Sequence, residues 1–419
     1  MKKLVVIFGL ITLCLSLSTQ GEERRVALSG HIKYQPLIST YPEHSIYRNF
    51  MDSPAVDNNL DARFNADGQM GAWQWDLNYQ LFAKSGDSVS YNHRSLSQSF
   101  GGNIYPSDES RLMRLTDQLL DDDDILVVHR LDRLSLAYSS HSSVIKIGRQ
   151  AISWGNGLMF NPMDMFNPFD PTAVDTEYKT GDDMLYAQRL FDNGHDLQAV
   201  LVGRRDNSGD LSASENSTAF KYHGFIGEHE FDMLLAQHFD DSVLALGGVW
   251  GLGGAIARTD FIVSESDNKN YYSAVANLSY SWVAFERNFS GSLEYFYNGF
   301  GLDSGDYHPL TLSQNPQLLK RLARGELFNL ARQYLAATMT VELHPLWVLT
   351  PTGFWNVKDG SSLFQLVSSH DISQESCFLL SLNLPIGDKG SEFGGLESGI
   401  DDRYLSSGPS LLAQLAWYF

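Results

Sequence analysis

The chain is poor in the features that mark soluble enzymes and nucleic-acid binders. It has two cysteines in 419 residues, and Cys14 sits in an apolar run near the N-terminus. With Cys377 alone beyond that run, no intramolecular disulfide is available. There is no Cys-x-x-Cys-His, no His-Glu-x-x-His and no Gly-rich phosphate loop, so no metal or cofactor is expected. A Ser–His–acid group assembled in space leaves no local signature, and no catalytic residue stands out. Lys and Arg number 30 against 50 acidic residues, a net charge of −20. That excludes the basic face a nucleic-acid partner requires. Past residue 17 no apolar run reaches the roughly 20 residues of a membrane helix; the longest, such as Phe378–Leu384, are strand-sized.

What is present begins with a leader. Lys2 and Lys3 precede the apolar run Leu4–Leu17, followed by small and polar residues. This is the pattern of a cleaved secretory signal over residues 1–21, with Thr19-x-Gly21 favoured over Ser16-x-Ser18 as the exit. Leu13 before Cys14 is not the small residue a lipoprotein signal wants. Removal takes two lysines, leaving 28 basic against 50 acidic residues, or −22. Residues 22–419 then read as one domain.

At the other end Leu411, Ala413, Leu415, Trp417 and Phe419 share one face of a strand, with Gln414 and Tyr418 on the other. A strand that alternates to the final residue and stops on aromatics suits a transmembrane barrel, where every backbone group is paired and aromatic girdles mark the interfaces. This ending resembles the terminal-Phe signature of Gram-negative outer-membrane proteins, which implies insertion by the barrel-assembly machinery. Other segments alternate as cleanly. Trp73, Trp75, Leu77, Tyr79 and Leu81 oppose Gln74, Asp76, Asn78 and Gln80; Leu335, Ala337, Met339, Val341 and Leu343 oppose Thr338, Thr340 and Glu342. The expected fold is all-β, an antiparallel transmembrane barrel of about eighteen strands, sixteen being the alternative count.

Strands are predicted to start near Val26, Asn58, Met70, Ile125, Ser143, Asp182, Gly194, Ser217 and Glu228, then Ser242, Ala255, Lys269, Phe289, Leu330, Leu346, Ser361, Glu375 and Pro409. Tight connections then fall on one end, and long ones (37–57, 85–124, 154–181, 300–329 and 387–407) on the other. That is the barrel rule of short periplasmic turns and long external loops. Residues 110–120 and 315–325 read as short helices within external loops. Asp121–Asp124 reads as a solvated acidic run.

The most distinctive block, Ile147–Pro171, contains two hexads, Phe160–Met165 and Phe166–Pro171, each opening Phe-Asn-Pro. Asn161-Pro162 and Asn167-Pro168 initiate turns and fix φ, so the loop should be compact. Phe160, Met163, Phe166 and Phe169 give it apolar anchors. The run Gly-Arg-Gln…Trp-Gly…Asn-Pro-x-Asp-x-Phe-Asn-Pro, continued by Asp175–Asp183, resembles a largely uncharacterised porin-like family of outer-membrane barrels over residues 125–205. General porins fold the loop after the fifth strand into the lumen, and the resemblance implies the same here.

Asp164, Asp170, Asp175, Glu177, Lys179, Asp182 and Asp183 lie on or just after this loop, with Arg149 and Arg189 among the arginines of adjacent strands. Acid on a loop facing Arg on a wall can select ions or tether the loop. Arg149 is expected to pair with Asp164 or Asp170. The expected function is passive or selective diffusion of small polar or charged solutes across the outer membrane, with outer-membrane lipid and lipopolysaccharide as surroundings. The alternatives are a hydrophobic-substrate channel, a barrel enzyme of phospholipase or protease type, and a structural or partner-binding barrel.

Overall fold

The computed structural model describes residues 25–94, 105, 107–206 and 208–419. The leader assigned above lies outside them. The first strands are β1 (Arg25–Ser39), β2 (Ala55–Met70), β3 (Trp73–Gly86), β4 (Thr116–Asp122), β5 (Ile125–Ser139), β6 (Ser143–Gln150), β7 (Asp182–Leu190), β8 (Asp196–Val202) and β9 (Ser217–Ile226). Then come β10 (His229–His238), β11 (Asp241–Leu252), β12 (Ala255–Ser266), β13 (Lys269–Ala284), β14 (Arg287–Tyr297), β15 (Gln333–His344) and β16 (Trp347–Asn356). The remainder are β17 (Ser362–Asp371), β18 (Ser376–Ile386), the short pair β19 (Leu396–Glu397) and β20 (Tyr404–Leu405), and β21 (Ser410–Tyr418).

Eighteen of these form the wall. Each pairs antiparallel with the wall strand before it, and β21 pairs with both β18 and β1, so the sheet closes and leaves no edge. All eighteen predicted starts fall within three residues of a wall strand's first residue. Met70 is the instructive case: it ends β2, and Gly71, at φ +59°, turns the chain into β3.

Alternation fixes which way each strand faces. On β21, Leu411, Leu415, Trp417 and Phe419 are exposed outward while Gln414 and Ala416 are buried inward. Phe419 exchanges both backbone bonds with Gly30, N–H to O at 3.1 and 2.9 Å. A Cβ on Gly30 would lie 2.7 Å from the Phe419 ring, so only glycine admits this seat. Trp73, Tyr138, Trp282, Trp347 and Trp417 project outward near the end that holds the termini, one aromatic girdle of the kind a membrane interface favours. At this end the connections are tight, and the long ones all lie at the opposite end. Two connections at the loop end, 239–240 and 267–268, are also two residues long.

One helix expectation holds and one fails. Pro316–Ala323 is helical, with Leu318 and Arg321 buried on its inner side. Residues 110–120 are not: β4 forms there instead. The wall explains it. β6 covers only Leu134–Ser139 of β5, so the outer half of β5 would present a bare edge, and β4 pairs with Ile125–Arg130 to fill it.

The inner face is apolar over much of its area. Met184, Val200, Val202, Ala219, Leu234, Val243, Ala245 and Ile262 point inward from β7–β12 and pack on Trp154, Met163, Met165 and Phe166. Val275, Phe296, Tyr334, Ala336 and Phe354 continue the apolar surface and enclose Phe160. The core of this protein therefore lies inside its barrel, and the loop after β6 supplies about a third of the cluster on β7–β12.

Candidate functional site

Residues 151–181 leave the outer end of β6, enter the lumen, reach β14–β16 at Phe160 and double back to the β7–β12 side at Phe166. They then touch β17, β1, β2 and β5 before joining β7. Trp154 Nε1 donates to Gln198 on β8 at 2.8 Å. Asn156 donates from its backbone and side chain to Asp260 on β12, at 2.6 and 2.7 Å. The backbone N–H groups of Leu158, Met159 and Phe160 all donate to the Glu294 carboxylate on β14, at 2.7, 3.0 and 2.6 Å. Three consecutive amides on one buried carboxylate satisfy a stretch of backbone that has no ladder of its own. The Phe160 ring then stacks on Phe296 at 4.9 Å.

The returning half reaches the other side. The Thr172 carbonyl accepts from Gln365 on β17 at 2.9 Å. Lys33 on β1 grips Asp175 and Glu177 at 2.6 and 2.7 Å, and Tyr418 on β21 donates to Glu177 at 3.1 Å. The guanidinium of Arg63 on β2 lies 4.1 Å from the centre of the Tyr178 ring. Arg133 on β5 donates to the Lys179 carbonyl. Extended, residues 151–181 reach at most roughly 100 Å. Tilted strands about 4.8 Å apart give an eighteen-strand wall of roughly 110 Å, and a ring one side chain inside it needs roughly 70 Å. The loop is long enough to touch both sides of the lumen and return to its root.

Lys179 locks the ring's two ends together. Its Nζ donates to Asp164 (2.5 and 2.6 Å), to the Ile152 carbonyl (2.6 Å) and to Ser153 (3.1 Å). Asn161 Nδ2 caps the Trp154 carbonyl at 2.9 Å, and Asn167 adopts φ +54°, the left-handed turn that its side chain tolerates. Pro162 and Pro168 follow them and hold the two bends.

The expected pairing of Arg149 with Asp164 or Asp170 is wrong. Arg149 binds Asp183 at 2.8 Å and Asp108 at 2.9 Å. Asp183 is its direct cross-strand partner on β7, and Asp108 comes from the connection 87–124. Asp164 is taken by Lys179, and Asp170 turns back on Thr172, accepting from its N–H and hydroxyl at 2.8 Å each. Asp182 pairs with Arg204 at 2.7 Å. Arg189 takes no part: it is exposed near the opposite end of β7, bonded to Ser143 at 2.9 Å, because seven residues of strand separate it from the loop's return at Asp182. Burial alone would raise the Asp108 carboxyl, but the bonds and charge of Arg149 hold it below the ordinary range.

Sequence reasoning missed the wall's half of the site: Glu294, Asp260, Lys33, Arg63, Gln198 and Asp132. Asp132, 1% exposed, is shared by Arg63, Arg130 and Arg133 at 2.8 to 3.2 Å. A Ser–His–acid row also exists. Ser217 lies 3.0 Å from His238 Nδ1, and His238 Nε2 lies 3.4 Å from Glu326. Ser217 is 3% exposed and already accepts from Arg204 at 2.7 Å, so the row works as a strut.

Solved structures share this architecture. A BenF-like porin from Pseudomonas fluorescens Pf-5 superposes with a TM-score of 0.52 at 10% identity, covering 95% of this chain and 98% of that one. The fold is porin-like. OccAB4 of Acinetobacter baumannii gives 0.53 at 7% identity, covering 96% and 99%, and OccAB2 of the same organism 0.53 at 9%, covering 94% and 98%. No protein-family model and no curated protein matches the sequence. At these identities the likeness shows the fold alone.

Outside the ring, residues 387–409 close over the wall at β14–β18 through Glu392. Its carboxylate accepts from Tyr334 (2.5 Å), Asn356 (2.7 Å) and the Leu330 N–H (2.8 Å), and its own N–H donates to Asp359 (2.8 Å). Burial pushes this carboxyl up to about 7, despite the lowering effect of those bonds. The seated segment thus holds its proton to higher pH than a released one, whose ordinary value is 4.5. Seating is strongest below pH 4.5 and weakens as pH rises through about 7. Protease cleavage within 387–409 should accelerate between pH 5 and pH 8, and Glu392→Gln should flatten that dependence.

Proposed function

We propose that this protein is an outer-membrane channel for passive diffusion of small solutes, narrowed permanently by the ring at 151–181. The ring itself carries the reading: a barrel wide enough for a water-filled lumen holds a self-locked loop at its inner wall. All charges of that loop but Asp170 are paired, Lys33 with Asp175 and Glu177 and Lys179 with Asp164, and at its root Arg149 pairs with Asp183. Their main work is tethering, and the constriction is a consequence of where they hold the chain. The exposed apolar belt is the lipid-facing surface, and residues 1–21 are the cleaved export signal. β21 with Phe419 presents the segment for the assembly machinery to engage, and lipid and lipopolysaccharide surround the wall.

Conductance in planar bilayers tests this. Purified protein should give discrete ion-conducting steps, and a silent barrel would overturn the reading. Cys377 supplies an internal control. It lies on the inward face of β18, beside Ser369 at 3.4 Å and partly exposed. A cationic, water-soluble thiol reagent should lower the step size by about a third or more, and Cys377→Ser should abolish that block.

A further inference from the structure

Above the ring, on the side of the long loops, the wall carries a belt of amides. Gln365 (β17), Asn383 (β18), Gln414 (β21), Gln35 (β1) and Asn59 (β2) lie on five consecutive strands. All occupy inward positions, alternating with outward residues such as Tyr34, Leu60, Leu411 and Leu415. Gln365 donates to Asn383 at 2.9 Å, Gln35 donates to Gln414 at 2.6 Å, and Asn59 stands opposite Gln35 in register. Gln35, Asn59 and Asn383 remain partly open to solvent.

Strand direction gives the belt's height. β1 rises toward the long loops, so Gln35 stands two residues beyond Lys33. β2 and β21 run the other way, so Asn59 and Gln414 each stand four residues beyond Arg63 and Tyr418. Lys33, Arg63 and Tyr418 are the groups that grip Asp175, Glu177 and Tyr178. At about 3.3 Å per residue, Gln35, Asn59 and Gln414 sit roughly 7 to 13 Å outward of those grips, while Gln365 touches the ring itself at the Thr172 carbonyl. A solute arriving from the loop side meets amides immediately before the constriction. Asp61, on the same face of β2, is taken up by Gln80 at 2.8 and 2.9 Å, and Lys84 opposite Asn59 marks the belt's end.

We infer that the channel favours neutral solutes rich in hydroxyl or amide groups, with Gln35, Asn59, Asn383, Gln365 and Gln414 setting the preference; this rests on the channel reading. Amides both donate and accept, so they replace the water lost by a hydroxyl-rich solute bond for bond. They carry no net charge; Lys33 and Arg63 are committed to Asp175, Glu177 and Asp132, and Lys84 at the belt's end lies in the field of Asp57. An ion shedding water at Gln35, Gln414 or Asn383 therefore finds no free counter-charge.

Swelling of proteoliposomes in glucose, gluconate and glucosamine tests it with size-matched neutral, anionic and cationic probes. Glucose should enter at least threefold faster than either ion. Asn59→Leu with Asn383→Leu should remove that margin while heat-modifiable migration in detergent gels is kept. Equal rates for the three solutes in the unmodified protein, or a faster ion, would overturn the inference and leave the channel reading intact. No swelling and no conductance would remove both.

Discussion

Glu294→Ala should open the channel. The carboxylate holds three consecutive backbone amides of the ring, and Asn277 supports it at 3.1 Å. Bonds to a charged acceptor contribute about 1.5–3 kcal/mol each, offset by relief from burying the carboxylate. A net loss of about 3–5 kcal/mol is expected for this arm of the loop. That is enough to release residues 158–160 and draw the Phe160 ring from its stack. The conductance step should at least double, while heat-modifiable migration persists because no backbone bond of the wall is touched. Glu294→Gln, which keeps one acceptor oxygen, should fall between. An unchanged step size in the alanine variant would mean that the ring does not set the narrowest point.

Arg149→Ala should be the most damaging single change near the loop's root. Arg149 is fully buried and serves Asp183, Asp108 and the Met113 carbonyl together. Its loss leaves Asp183, 2% exposed, without a cation and Asp108, 5% exposed, with Arg111 alone at 3.0 Å. Breaking a buried pair in this way costs about 3–5 kcal/mol. The unfolding midpoint in detergent should drop by several degrees, and residues 108–113 should become more sensitive to protease. Lysine should restore less than half of the loss, since one ammonium cannot span the two carboxylates that the planar fork reaches. Full rescue by lysine would show that charge alone matters there.

The wall was legible in the sequence because inward and outward positions alternate residue by residue, and tight turns punctuate the record. β21 could be read to the residue. The ring was legible as a compact loop from Asn161-Pro162 and Asn167-Pro168, and its anchors from Phe160, Met163 and Phe166. Its partners were not. Glu294 between Leu293 and Tyr295 looks like any lumen-facing polar residue, and only the path of the loop reveals what it holds. Arg149 misled for a local reason. Gly148, at φ +120°, lies where a Cβ would come within 2.2 Å of the Leu134 carbonyl. The ladders to β5 and β7 run on through Arg149 without a register shift, pairing it with Leu134 and Asp183 and leaving it out of reach of Asp164. The apolar half of the lumen was hidden too, since small residues such as Ala219 and Ala245 read as neutral in an alternating strand.

The grip of Lys33 and Tyr418 on the same two carboxylates has a consequence for how the molecule is made. β1 and β21 meet at the seam where the cylinder is sewn shut, and Glu177 touches both. The loop therefore acts as a clasp across that seam. It cannot take its final seat until the first and last strands have zipped together, and once seated it resists their parting. Seam closure and loop docking are in this protein a single, mutually reinforcing event.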